Sequence, residues 1–167
     1  PDYSSAASDV YKRQGIKGGS GKTTVATNIS VMFAQSGKDV LFIDADDQGT
    51  ATDFSYWRNE TMNNEMDYTA IQLKGAAVRT ETKKLAKKYD IVVIDTGGRD
   101  TTSQRAALVI SDILLIPFVP RSYDVWTIGK VSRLIEETLV YNPELKACAF
   151  INKADARGTH NEDAKNF

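Results

Sequence analysis

The stretch Lys17-Gly18-Gly19-Ser20-Gly21-Lys22-Thr23-Thr24 limits what this chain can fold into more than any other. Phosphate oxygens need several donors converging on a small volume. Glycine lets the backbone approach closely and adopt positive φ, so that consecutive N–H groups point inward. Gly18, Gly19 and Gly21 supply that freedom. A helix starting just after such a loop adds the positive end of its dipole. Lys22 would then reach the β- and γ-phosphates of a nucleotide, the Thr23 hydroxyl would ligate Mg²⁺, and Thr24 would donate to the α-phosphate. The usual motif carries a glycine five residues before Gly21; Ile16 stands there instead, and a second lysine, Lys17, opens the loop. A turn that merely joins a strand to a helix is the alternative, and the elements that follow weigh against it.

Those elements are a helix and then a buried strand. Thr24 to Gln35 carries Val25, Ile29, Met32 and Phe33 at helical spacing, and Gly37 closes it. Val40-Leu41-Phe42-Ile43 is a continuous apolar run, as in a parallel strand covered on both faces, and it ends in Asp44-Ala-Asp-Asp-Gln-Gly49. A second such run, Ile91 to Ile94, ends in Asp95. Acidic strand ends lie on the ligand-binding edge of an open α/β sheet. Behind a phosphate loop, Asp95 reads as the Walker B carboxylate that holds Mg²⁺ opposite the loop threonine. Gly97 and Gly98 would let the following loop move with the γ-phosphate.

With these pieces in hand, the chain resembles the ParA/MinD family of deviant Walker A ATPases, and within it the small ParA-like partition ATPases. The likeness rests on Lys17–Thr24, Asp44–Gly49, Ile91–Thr96 and Asn152-Lys153, and runs from about Gly15 to Asn161. It implies that Lys17 is the signature lysine, reaching across an ATP-sandwich homodimer to the partner's nucleotide as an arginine finger would. It implies that Asp46 orients the attacking water, that Asp44 sits near the metal, and that Asn152 contacts adenine. Gly18, Gly19, Ser20, Gly21, Lys22, Thr23 and Thr24 would hold ATP, and Thr23, Asp44 and Asp95 would hold Mg²⁺. Two departures stand out. Asp47 replaces a usual proline and adds a carboxylate beside the triphosphate. Thr96-Gly-Gly-Arg-Asp100 replaces Thr-Pro-Pro, with Arg99 read as a surface ion-pair former.

Of the 167 residues, 41% are hydrophobic and 26% charged, the balance of one soluble α/β domain. The net charge of −1 advertises no nucleic-acid binding, so any DNA contact must come from a local patch. The single cysteine, Cys148, lies in the apolar run Ala147–Ile151 and is expected to be buried. No disulfide is possible within one chain, and no stretch nears the roughly 18 apolar residues of a membrane span. A cytoplasmic protein is expected, nucleoid-associated if it is a partition ATPase.

Both ends read as incomplete. Residues 1–14 are expected to be a non-native leader, because Lys12 and Arg13 would sit badly in the central strand that should precede the loop. Residues 15–167 are expected to form a P-loop ATPase domain that is truncated at the C-terminus, where the pattern stops in a helix start. Between these limits the pattern predicts helices at Thr50–Glu60 (Phe54 and Trp57 inward), Thr80–Lys88, Thr101–Ile110 (capped by Asp100) and Asp124–Tyr141. It predicts strands at Tyr68–Leu73, Ile113–Val119 and Ala147–Ile151. The helix at Asp124 carries a stripe of Val125, Ile128, Val131, Leu134 and Ile135. The lysines Lys83, Lys84, Lys87 and Lys88 read as a solvated face, with a DNA patch as the alternative. His160 is assigned no catalytic role. The alternation gives a doubly wound, mostly parallel α/β sheet of the P-loop NTPase type.

The resulting expectation is an ATP-dependent dimerising switch for plasmid or chromosome partitioning. It would hydrolyse ATP weakly, bind DNA without sequence preference, and answer to a ParB-like activator. A MinD-like membrane positioning ATPase, or another cargo-positioning relative, is the alternative. An electron-transfer ATPase is set aside because it needs two cysteines per subunit, and a kinase because no acceptor pocket is legible.

Overall fold

The computed structural model describes residues 19–63, 67–98, 101–119 and 122–154, with the backbone alone for 122–128. Lys17, Gly18, Arg99, Asp100 and His160 lie outside the described residues. The elements in chain order are α1 (Lys22–Gln35), β1 (Val40–Asp44), α2 (Thr50–Thr61), β2 (Thr69–Gln72), α3 (Ala77–Leu85, continuing as a 3₁₀ turn over Ala86–Lys88), β3 (Ile91–Asp95), α4 (Thr102–Leu108), β4 (Ile113–Phe118), α5 (Ser122–Leu139) and β5 (Lys146–Ile151).

Among the described residues all strand pairs are parallel and fall in two ladders, β2-β1-β3 and β4-β5; the strand expected before the glycine loop lies outside the described residues. Parallel neighbours need long crossovers, and the helices supply them. β1 is central in its sheet and buried along its whole length. Its side chains alternate between faces. Val40 and Phe42 pack with Ala51 of α2 and with Ala26 and Phe33 of α1. The opposite layer joins Ala45 to Val78 of α3 and Ala107 of α4. Helices thus cover both faces, which is why β1 reads as an unbroken apolar run.

Several local devices fix these elements. α1 ends where Gly37 takes φ +81°; the Gly37 N–H donates to Ala34 O and the Lys38 N–H to Phe33 O. The Asp90 carboxylate accepts from the Asp39 N–H at 3.0 Å and sets β3 level with β1. Arg58 grips Asp67 through two hydrogen bonds, at 3.2 and 2.9 Å, tying the end of α2 to the approach to β2.

Tyr68 packs its ring at 6.0 Å from that of Phe42, and its hydroxyl hydrogen-bonds the Ser55 hydroxyl at 3.0 Å inside the core. Burial holds the Tyr68 hydroxyl above its ordinary pKa. Tyr68→Phe orphans the Ser55 hydroxyl. Urea denaturation is expected to show a loss of about 1–2 kcal/mol; an unchanged midpoint would mean the pair contributes nothing.

Some expectations are corrected. α2 buries Ala51 and Ser55, whereas Trp57 is 65% exposed. One turn of helix separates 51 from 55, so 57 points elsewhere. α3 starts three residues earlier than expected, at Ala77. Thr101, not Asp100, caps α4: its side chain accepts from the Gln104 N–H at 3.1 Å. Cys148 is exposed, because an apolar run reads the same whether or not a layer covers it. Within the expected α5 stripe, Val131, Leu134 and Ile135 are half-buried, and Val125 and Ile128 fall among the side chains not described. Lys83 and Lys84 are solvent-exposed, and Lys84 pairs with Glu81 at 3.0 Å.

Candidate functional site

Three elements converge at the C-terminal edge of the first sheet. The parallel register sets Asp44 at the end of β1 directly beside Asp95 at the end of β3. Facing them is the start of α1. Gly21 precedes it at φ +83°, with no side-chain cap, and the first turn carries no acidic residue. Among the described residues the Val25 N–H is the first to bond back, to Gly21 O at 2.9 Å. The N–H groups of Lys22, Thr23 and Thr24 precede that bond and are the natural donors for an anion.

The two Asp carboxylates are spent differently. Asp44 is 1% exposed, and both of its oxygens are taken. Oδ1 accepts from the Asp46 N–H at 3.1 Å. Oδ2 accepts from the Thr52 N–H at 2.8 Å and the Thr52 hydroxyl at 2.7 Å. Asp44 therefore braces the β1–α2 loop against the first turn of α2. The resemblance placed it near the metal; here its oxygens face protein donors. Asp95 is as buried as Asp44, yet its Oδ2 has no hydrogen-bond partner. Burial pushes the Asp95 carboxyl up to about 6. The charges of Asp44 and Asp46 push the same way, while a hydrogen bond from Thr23 and the charge of Lys22 oppose them.

An orphaned buried carboxylate oxygen next to a threonine and a lysine fits a hydrated divalent cation. Mg²⁺ is commonly bound by one or two carboxylates together with waters and phosphate oxygens. In keeping with that, no group of three or more His, Cys, Asp or Glu side chains among the described residues is arranged to hold a metal by itself.

The loop after β3 closes the same space. A Cβ on Gly98 would lie 3.1 Å from Lys22 Nζ, and one on Gly97 would lie 3.0 Å from Asp46 Oδ1. Both contacts are tighter than ordinary side-chain packing, so the Gly-Gly pair lets this backbone lie against the lysine and Asp46. Asp46 is half-buried and accepts from the Gln48 N–H at 3.1 Å. Asp47 points to solvent and faces Lys74 Nζ at 3.7 Å. An exposed pair of this kind stabilises little, but Lys74 offsets the extra negative charge locally. On the far side of the loop, Asn152 follows β5 and donates its side-chain amide to Ser20 O at 2.7 Å.

The structure thus brings together Ser20, Gly21, Lys22, Thr23, Asp46, Asp95 and Asn152. It also adds residues that sequence reasoning missed. Thr52, which holds Asp44, lies eight residues away with no motif to flag it. Lys74 carried one signal, a cation following a strand toward the acidic edge.

A glycine loop opening a helix beside acidic ends of parallel strands defines a nucleotide-binding domain of the P-loop NTPase fold. The chain belongs to the family described as the CobQ/CobB/MinD/ParA nucleotide binding domain, whose model matches residues 13–166. Maintenance of carboxysome distribution protein A of Halothiobacillus neapolitanus is 31% identical over 144 residues, which are 85% of this chain and 65% of that protein. Two solved structures share the fold. One is cobyrinic acid a,c-diamide synthase from Mycobacterium smegmatis with bound ADP and magnesium, with TM-score 0.74 and 21% identity over 90% of this chain and 76% of that one. The other is a plasmid partition protein from Borrelia burgdorferi, with TM-score 0.73 and 21% identity over 90% and 81%.

Proposed function

We propose that this chain is the ATP-binding domain of a dimerising switch ATPase that partitions DNA, hydrolysing ATP slowly with Mg²⁺. The observation that carries the nucleotide part is Asp95 Oδ2, buried and unpartnered, beside Thr23 and Lys22 at the start of α1. In this reading Lys22 neutralises the β- and γ-phosphates, and the α1 N–H groups cradle them. Thr23 and Asp95 hold the cation, which supplies charge neutralisation across the phosphates. Asp46, at the mouth of the Gly97–Gly98 loop, orients the attacking water. Lys17 of a second copy completes the charge around the transferring phosphoryl group, and a ParB-like protein stimulates the reaction.

A second reading has independent support. The 31% relative bears the name of a carboxysome distribution protein, which in this reading makes the cargo a carboxysome-like body. A membrane-bound variant of the switch would need an interfacial amphipathic helix. Among the described residues no helix is long and apolar enough to cross a bilayer.

The test is light scattering of the full chain with and without MgATP, followed by DNA retention at increasing salt. Dimerisation only with MgATP, and DNA retention that appears only then and falls with salt, support the partition reading. Dimerisation without DNA retention turns the assignment to the other cargo. Lys17→Ala is expected to keep nucleotide binding but lose hydrolysis by roughly a hundredfold or more. A monomer in every condition overturns the switch.

A further inference from the structure

We infer that Asn152 is a positioning residue for the phosphate-binding loop: its side-chain amide holds the Ser20–Gly21 peptide in the orientation that turns the Gly21 N–H into the loop. The inference rests on the nucleotide-binding reading above and adds a residue from the opposite end of the chain to the phosphate site.

Asn152 is itself fixed. Its backbone N–H donates to Phe118 O at 2.7 Å, one step beyond the Ile151–Phe118 pair that ends the β4-β5 ladder. From there Nδ2 donates to Ser20 O at 2.7 Å, spanning 132 residues of sequence. A carbonyl oxygen only accepts, so the amide must present its nitrogen to it.

A trans peptide is planar, with its C=O and N–H on opposite sides, and the described chain has no cis bond. Drawing Ser20 O toward Asn152 therefore sends the Gly21 N–H away from Asn152. Without that bond the peptide is free to rotate, because glycine at 21 tolerates both senses. A loop that binds phosphate needs consecutive N–H groups aimed at one point, so a rotated peptide costs a donor.

The backbone requires glycine at position 21, and the contact with Asn152 adds to that requirement. The Gly21 φ is +83°, where L side chains rarely sit, and a Cβ there would collide with the Asn152 amide nitrogen. The asparagine that orients the peptide also occupies the space that any side chain at 21 would need.

The experiment separates loop positioning from contact with the base. Calorimetry of the full chain is run with MgATP and with magnesium tripolyphosphate, which has no base, on wild type, Asn152→Leu and Asn152→Ala. Leucine keeps the approximate shape and removes the donor without adding charge. Both ligands are expected to weaken by a similar factor, roughly tenfold, with the ligand-free thermal midpoint within a few degrees of wild type. A loss confined to MgATP overturns the inference, since a residue that touched only the base would behave so. If Asn152→Leu does not fold, the smaller Asn152→Ala carries the comparison.

A double-mutant cycle supplies an independent reading. Gly21→Ala is expected to weaken tripolyphosphate binding less in the Asn152→Ala background than in wild type. Equal losses in the two backgrounds overturn the steric part. Wild type that binds neither ligand overturns the nucleotide reading itself, whereas wild type that binds both with unaltered variants overturns only the role of Asn152.

Discussion

Lys22→Ala is expected to weaken MgATP binding by at least about a hundredfold, with the ligand-free protein still folded and only modestly less stable. Lys22 is half-buried, and its Nζ lies against the Gly98 backbone. It enters no ion pair among the described residues, although its charge acts on Asp95. A cation so placed has its donors unspent. Two charge-assisted hydrogen bonds to phosphate, at about 1.5–3 kcal/mol each, account for the factor. Truncation breaks no ion pair or hydrogen bond among the described residues and removes only the charge that eases Asp95, so the thermal midpoint at neutral pH should fall modestly. Isothermal calorimetry measures the first quantity and a melting curve the second. Binding within about threefold of wild type would remove Lys22 from the site.

Asp95→Asn should separate stability from function. The unfolded carboxyl titrates near its ordinary 3.8, and the folded one near about 6. Below the lower value both states are protonated and the full stability is present. As pH rises toward 6 the unfolded state loses a proton that the folded state keeps, so stability falls across that interval. Above it the cost is complete. Two pKa units correspond to about 3 kcal/mol. The amide of the variant carries no such titration. The variant should therefore match wild type near pH 3 and exceed it by up to about 3 kcal/mol at pH 7, in the absence of nucleotide and Mg²⁺. Added MgATP should stabilise wild type strongly and the variant weakly. A difference that stays flat between pH 3 and pH 7 would contradict the burial argument.

Much of the first sheet was legible because its signals are local. Four apolar residues followed by aspartate describe β1 and β3 without any knowledge of their neighbours. The glycine loop and the helix after it are likewise a pattern within one short stretch. Trp57 failed the same treatment, because helix α2 turns its small residues Ala51 and Ser55 inward and a large aromatic looked like the better core residue. Cys148 failed because an apolar strand does not state which layers cover it.

The candidate site divides along the same line. Residue chemistry alone proposed Lys22, Thr23 and Asp95 for a magnesium triphosphate, and the structure sets the three side chains within interaction range of one another. The sequence also determined the alternation of strands and helices, and hence the edge where the acidic ends would lie. Only the tertiary structure decided how two neighbouring aspartates are used: Asp44 is consumed by Thr52 and the Asp46 N–H, while Asp95 keeps an unpaired oxygen. It alone placed Asn152 on Ser20. Both outcomes depend on strand register and on contacts between residues far apart in the chain, and a one-residue slip would reassign every one of them.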